Sequence, residues 1–270
     1  MSRSVDLISS AANPLIKRLR SLERKKGRSD TGCFLAEGAR LIEQALAQGW
    51  TIRTIMTASS VSQTPFSQDI IARAKAGGAR HVCVPDRLLG SLTRKDNPQA
   101  MIAEIEQRAL DLASLSPCPD RLWLGLYQIR DPGNLGTILR TLDCAGAGGA
   151  ILIDQCCDPY SVEAVRASMG SIFDVSLARS SFDAFNSWCR GAGLVSIAAS
   201  VNGTATHTDM DFSQPSLILM GNEQAGLPLD IEATCDYLCR IPMRGGADSL
   251  NLAQASAIML YEGWRQRGFQ

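Results

Sequence analysis

Beyond residue 120 the chain alternates short apolar runs with longer amphipathic stretches, which restricts it to a mostly parallel sheet covered by helices on both faces. Runs at 121–127, 150–154, 172–177, 194–198, 216–220 and 237–241 read as strands, and stretches at 133–145, 161–168, 182–189 and 250–266 as helices. A smaller α/β pattern precedes them. Asn13-Pro14 pairs a capping side chain with proline at the first helical position, and Leu15, Ile16, Leu19 and Leu22 then share one face. Residues 27–32 read as a break, Phe34-Leu35-Ala36 as a short apolar run, and 37–48 as a second amphipathic helix stopped by Gly49. Strands at 51–56, 81–84 and 101–105 and helices at 68–76 and 86–92 complete this unit. The Pro- and Ser-bearing stretch 111–120 reads as a linker between an N-terminal α/β domain, 1–110, and a C-terminal domain, 121–270.

Composition removes several classes of protein. With 45% hydrophobic and 20% charged residues and a mean hydropathy of −0.01, the chain is globular and neither disordered nor membrane-like. The N-terminus lacks an apolar signal core, so the expected setting is the cytoplasm, without membrane association. Nine cysteines are odd in number and scattered, no CxxC occurs, and His81 and His207 lie far from any cysteine pair. Reduced thiols and no metal are expected, with Cys156, Cys157, Cys235 and Cys239 as small buried hydrophobes. Net charge is zero, but residues 1–30 carry +5. Clustered Lys and Arg neutralise phosphates, although such runs are also common as solvated helix faces.

Parallel sheets bind ligands outside the carboxyl ends of their strands, and three of the loops there are unusual. The first, 128–140, holds Asp131-Pro132-Gly133-Asn134 and Arg140, so that Asn134 and Arg140 could both face what the loop holds; it also reads as a well-capped helix with a surface arginine. In the second, Gly221-Asn222-Glu223-Gln224-Ala225-Gly226, glycine at the strand end permits close backbone approach and Glu223 places a carboxylate there; a plain turn is the other reading. The third runs from Ile241 through Gly245-Gly246 to Asp248-Ser249-Leu250-Asn251, with Ser249 as a helix N-cap. Familiar alternatives fail on spacing: there is no GxxxxGK[ST], no GxSxG, and Gly146, Gly148 and Gly149 follow a helix, so they end it and do not form a dinucleotide loop.

DPGNLGTILRTL, LILMGNEQAGLP and IPMRGGADSLNLAQASAI, in this order at three strand ends, resemble the signature motifs of the SpoU/TrmH family of RNA 2′-O-ribose methyltransferases in the SPOUT superfamily. The likeness covers about 121–266, and residues 24–106 resemble the ribosomal-protein-like RNA-binding domain that many members carry. The resemblance implies a parallel sheet with a C-terminal trefoil knot, a homodimer with Ala253, Ala257 and Leu260 at or near the interface, and S-adenosylmethionine held by Leu219, Gly221, Ile241, Met243, Ser249 and Leu250. It further implies that Arg140 stands beside the target ribose. A guanidinium is not deprotonated near neutral pH, so its expected role is to position phosphate and stabilise a developing alkoxide. Asn134 and Glu223 would hold the arginine and the loops, and Ser249 and Asn251 would complete the site, with no metal. Lys17, Arg18, Arg24 and Lys25 become the expected RNA contacts, ribosomal RNA before transfer RNA. The other reading is a non-catalytic RNA-binding or ribosome-associated factor on the same fold, which would be expected to have lost at least one of the five catalytic positions. Leu252 stands where many members have valine, and Arg244 adds a charge near the cofactor loop; neither removes a reacting group.

Overall fold

The structure, a computed structural model, describes residues 6–93 and 99–270; Arg3 of the basic arm lies outside them. The chain forms two compact units: residues up to Arg108 together with Asp158–Phe173, and Ala109–Cys157 together with Asp174–Gln270.

The first unit carries β1 (Asp6–Leu7), α1 (Pro14–Ser21), α2 (Lys25–Thr31), β2 (Cys33–Glu37), α3 (Ala39–Ala47), β3 (Ile52–Ala58), α4 (Pro65–Ala76), β4 (Arg80–Val84), α5 (Asp86–Thr93) and β5 (Met101–Glu106). Its sheet has the order β1-β4-β3-β5-β2, with β5 antiparallel to both neighbours. The Asn13 side chain caps α1, Pro14 opens it, and Ile16, Leu19 and Leu22 are buried against Leu35, Met56 and Val82 of the sheet. Residues 27–32 are not a break: α2 runs across Gly27, where a β-carbon would overlap the Ser21 carbonyl at the end of α1. Glycine is there for close packing. The helix ends at Gly32, whose φ of 63° is left-handed.

Residues 158–173, far along the chain, belong to this unit because of aromatic packing. Phe34 and Trp50 surround Tyr160 and Phe173, with ring centroids 4.8 to 6.3 Å apart, and the Trp50 indole N–H donates to the Phe173 carbonyl at 3.1 Å. Buried Arg28 donates to Asp158 at 2.8 Å and to the carbonyls of Leu22 and Glu23, and Arg166 on α7 (Val162–Ala167) bridges Glu37 at 2.9 Å. This packing displaces the strand expected at 172–177. Ile172 and Phe173 lie in a 3₁₀ turn, and the strand forms later, at β8 (Ser176–Ser180).

The second unit contains β6 (Trp123–Tyr127), α6 (Pro132–Cys144), β7 (Gly149–Ile153), β8, α8 (Phe182–Gly191), β9 (Val195–Ala199), β10 (Ala205–Thr206), β11 (Ser216–Met220), α9 (Leu229–Glu232), β12 (Tyr237–Arg240) and α10 (Leu252–Gln266). All seven strands are parallel, in the order β10-β12-β9-β11-β6-β7-β8. Its sheet confirms the mixed α/β class with a parallel-strand C-terminal domain. β7 and β11 are buried along their whole length, as the apolar runs require. Trp123, Ile151, Leu217 and Leu219 pack against Phe185 of α8, while α6 packs on α10. The chain proceeds from β6 outward through β7 and β8, then crosses to β9, so the crevice between β6 and β11 is where strand order reverses. Gly146, at φ 61°, ends α6 as expected. The nine cysteines are unpaired; Cys156 and Cys239 are buried, Cys157 and Cys235 half-buried. Burial pushes the Cys157 and Cys239 thiols up to about 12 and Cys235 up to about 11.

Candidate active site

The three loops meet at the carboxyl edge of the second unit's sheet. In the first, Asp131 caps α6 by accepting from the N–H groups of Gly133 (2.6 Å) and Asn134 (3.2 Å), with Pro132 at the first helical position. In the second, Asn222 and Gly226 exchange backbone hydrogen bonds at 3.0 Å, and a β-carbon on Gly221 would overlap the backbone of Gly226 and Leu227. Gly221 is thus required by the loop's own closure. The Asn222 side chain accepts from the N–H groups of Gln224 and Ala225 and donates to the Gln128 carbonyl at 2.7 Å, tying the second loop to the first.

Glu223 acts as an acceptor hub. Its carboxylate takes the N–H of Arg130 (3.1 Å), the N–H of Asp131 (3.1 Å) and the amide of Asn134 (3.4 Å). Asn134 in turn accepts from the Asn251 amide at 2.9 Å, while the other end of Asn251 caps α10 through Ala253 and Gln254. Asn251, and not Ser249, is therefore the N-cap, and α10 starts at Leu252. Glu223, Asn134 and Asn251 form one chain of hydrogen bonds across all three loops.

Two clefts flank this chain. One, of about 500 Å³, opens where β9, β11 and β12 end and is lined by Ala199, Ser200, Val201, Met220, Arg240, Ile241, Pro242, Met243, Ser249, Leu250 and Ala255. The other, of about 680 Å³, opens at the ends of β6 and β11 and includes Tyr127, Gln128, Arg130, Asn134, Asn222 and Glu223. Of the expected cofactor residues, Ile241, Met243, Ser249 and Leu250 line the first cleft; Leu219 points into the core beside Phe185, and Gly221 lies outside the lining. Among the described residues, 242–250 make no hydrogen bond and are exposed, leaving free backbone donors and acceptors beside apolar walls. An adenosine with a charged amino-acid tail fits such a surface, which combines apolar area with main-chain polar groups. The wall formed by 199–201 escaped the sequence reading, although it follows an apolar strand and the same strand-end rule could have found it.

Arg140 stands apart from both clefts. It is exposed on α6, and among the described residues its side chain has no hydrogen bond or ion pair. Six residues beyond Asn134, it is turned roughly 120° around the helix from that side chain. Ala253 and Leu260 are core residues, 5% and 0% exposed, whereas Ile258 and Tyr261 are the apolar side chains α10 presents to solvent.

Comparison with known proteins agrees with this geometry. Residues 121–261 match the SpoU rRNA Methylase family, and residues 13–103 match an MRM3-like substrate binding domain. The chain belongs to the SpoU rRNA methylase family. A crystal structure of an AdoMet-bound rRNA methyltransferase from Sinorhizobium meliloti is 41% identical, with a TM-score of 0.91 over 97% of this chain and 98% of that one. The 23S rRNA (uridine(2479)-2′-O)-methyltransferase of Streptomyces viridochromogenes is 33% identical over 91% of this chain and 87% of its own. A 23S rRNA (guanosine(2553)-2′-O)-methyltransferase of Bacillus subtilis is 28% identical over 94% and 97%. This SpoU-family protein is accordingly an S-adenosylmethionine-dependent methyltransferase acting on RNA. Among the described residues no cluster of His, Cys, Asp or Glu could hold a metal ion, and no helix is long and apolar enough to cross a membrane.

In the first unit, Lys17, Arg24 and Lys25 are exposed. Arg18 instead bridges the buried carboxylate of Glu104 at 2.6 Å, and Arg28 is only 4% exposed. Part of the basic arm is therefore structural.

Proposed function

We propose that the protein methylates the 2′-hydroxyl of a ribose in ribosomal RNA, with the cofactor in the cleft of β9, β11 and β12 and the acceptor nucleotide across the Asn134–Asn251 contact. That contact carries the reading, because Asn251 directly follows Ser249 and Leu250 of the cofactor cleft's lining and Asn134 lines the polar cleft. S-adenosylmethionine, when bound, supplies an electrophilic methyl group on a sulfonium. The residues of the chain supply position. Glu223 holds the 130–134 turn through three donors, and Asn134 and Asn251 fix the start of α6 against the start of α10. Such pre-organisation contributes to rate by holding nucleophile and methyl carbon in line. Ser249 and Leu250 line the cofactor cleft, and in this reading the ribose meets the cofactor beside them.

Arg140 keeps its assigned role as a cation for the RNA phosphate and the developing alkoxide, and its exposed position suits a group that meets substrate from outside the clefts. A homodimer accounts for this placement: α10, which packs on α6, exposes Ile258 and Tyr261, and a second copy on that side would bring the arginine to a cleft. The trefoil threading implied by the motifs concerns the two loops around 221–251. Lys17, Arg24 and Lys25 contact RNA in this reading, and a ribosomal RNA substrate is in keeping with a cytoplasmic protein. The test is transfer of labelled methyl from S-adenosylmethionine to separate ribosomal and transfer RNA pools, with Arg140→Ala in parallel. Alkali-resistant ribose label in ribosomal RNA with the wild type alone is the expected result; label confined to transfer RNA, or on bases, overturns it.

A further inference from the structure

Gln128, the first residue after β6, has a φ of 49°, a left-handed conformation that side-chain-bearing residues seldom adopt. Such outliers persist where the surroundings over-determine them, and they cluster at ligand sites. Here the surroundings do so. The Gln128 N–H donates to the Ile153 carbonyl at 3.1 Å, and its own carbonyl accepts from the Asn222 amide at 2.7 Å. The side chain is thereby set in the wall of the polar 680 Å³ cleft, next to Tyr127.

The two side chains are bonded to each other: Gln128 Nε2 donates to the Tyr127 hydroxyl at 2.9 Å. With its oxygen accepting, the phenol keeps its own proton as a donor, and the glutamine keeps Oε1 as an acceptor. Burial, with Asp154 and Asp230 nearby, raises the Tyr127 phenol further from ionisation, so the donor persists at working pH. Phe182 packs edge-on against the Tyr127 ring at 6.4 Å and steadies it.

We propose that Gln128 and Tyr127 read the base of the acceptor nucleotide, offering one acceptor and one donor to the paired N–H and carbonyl of uracil or guanine. Cytosine and adenine exchange the two positions, with a ring acceptor beside an amino donor, so a base held in one orientation by its ribose would set acceptor against acceptor and donor against donor. This assignment rests on the methyl-transfer reading for the placement of ribose, and the cleft, at about 680 Å³, has room for a nucleobase extruded from its stack. Selectivity in nucleic-acid enzymes arises in this way when a buried polar group is left unpaired by the wrong base.

Two measurements separate this proposal from the reading beneath it. The first is binding of UMP, GMP, CMP and AMP to the full-length protein saturated with S-adenosylhomocysteine, by ligand-observed NMR. UMP or GMP should bind about fivefold or more tightly than CMP and AMP, and Gln128→Gly, which accepts the left-handed backbone and keeps the fold, should erase the difference. The second is methylation of unmodified 23S ribosomal RNA, with the modified nucleotides mapped. Tyr127→Phe and Gln128→Gly should lower kcat/KM roughly tenfold or spread methylation to cytidine and adenosine, with cofactor affinity unchanged. If the wild type transfers no methyl, the reaction reading fails while nucleotide binding still judges the pocket. Equal binding of the four nucleotides to the wild type, or an unaltered rate and target spectrum in both variants, overturns the proposal.

Discussion

Asn251 donates from its amide to Asn134 Oδ1 at 2.9 Å while its own Oδ1 caps α10, so one side chain joins the third loop to the first and starts the last helix. The two residues stand 117 positions apart in the chain. Removing the side chain therefore has two separable effects. Asn251→Ala should cost about 1–2 kcal/mol of stability through the lost cap. Asn251→Asp keeps the cap but sets an acceptor against an acceptor; its stability should stay within about 0.5 kcal/mol of wild type while methyl transfer falls at least tenfold. Thermal unfolding and single-turnover transfer on the same preparations check both, and an active Asn251→Asp enzyme would falsify the coupling role.

Glu223 accepts from two backbone N–H groups and one side-chain amide, so its loss leaves three donors without a carboxylate. Glu223→Ala should destabilise by about 2 kcal/mol, as hydrogen bonds to a charged group are worth more than neutral ones. It should also lower turnover more than cofactor affinity, since the hub faces the polar cleft. A variant with wild-type unfolding and wild-type kcat would remove Glu223 from the machinery.

Arg140 touches neither cleft, so Arg140→Ala should leave S-adenosylmethionine affinity within about twofold while turnover drops by a factor of roughly 10² or more, the scale of a lost charge-stabilising donor. Calorimetric titration and methyl transfer read the two quantities. Unchanged turnover would return Arg140 to being a surface residue of α6.

Lys17, Arg24 and Lys25 are exposed cations, whereas Arg18 is committed to Glu104. Replacing the three with alanine should reduce the slope of log affinity against log salt by about 2–3 if each neutralises one phosphate. Arg18→Ala should show mainly in stability, costing about 2 kcal/mol, because Glu104 is 1% exposed and would lose the cation bonded to it at 2.6 Å. A salt slope equal to wild type in the triple variant makes those residues a solvated face.

Glu262 predicts an acid response. Hydrogen bonding from Arg265, then from Gln266, lowers its carboxyl to about 2, below the ordinary carboxylate range. A depressed folded-state value contributes stability above the unfolded value, near pH 4.5, that is lost as pH falls toward 2. The melting temperature of wild type should exceed that of Glu262→Gln near neutral pH, and the gap should close between pH 4.5 and 2. A gap that persists at pH 2 contradicts the ion-pair origin.

Local pattern alone determined much of this protein. Alternation beyond residue 120 specifies a parallel sheet, because strands buried on both faces must be continuously apolar, as 216–220 is. Asn13-Pro14 and Asp131-Pro132 mark helix starts because the cap and the fixed proline φ act within a few residues. The motifs likewise single out Asn134, Glu223 and Asn251, which the fold joins by hydrogen bonds. Tertiary structure decided what depends on distant partners. Ile172 and Phe173 carry the composition of a strand, yet aromatic packing with Phe34 and Trp50 places them in a turn. Gly27 reads as a breaker, yet it lets α2 sit against the end of α1. Arg28 counts as a free charge in the sequence and is a buried ion-pair member beside Asp158. The strained Gln128, the wall at 199–201 and the isolation of Arg140 have the same origin. Each is set by which strand ends become neighbours in the sheet, a property of pairing order that no short stretch of residues contains.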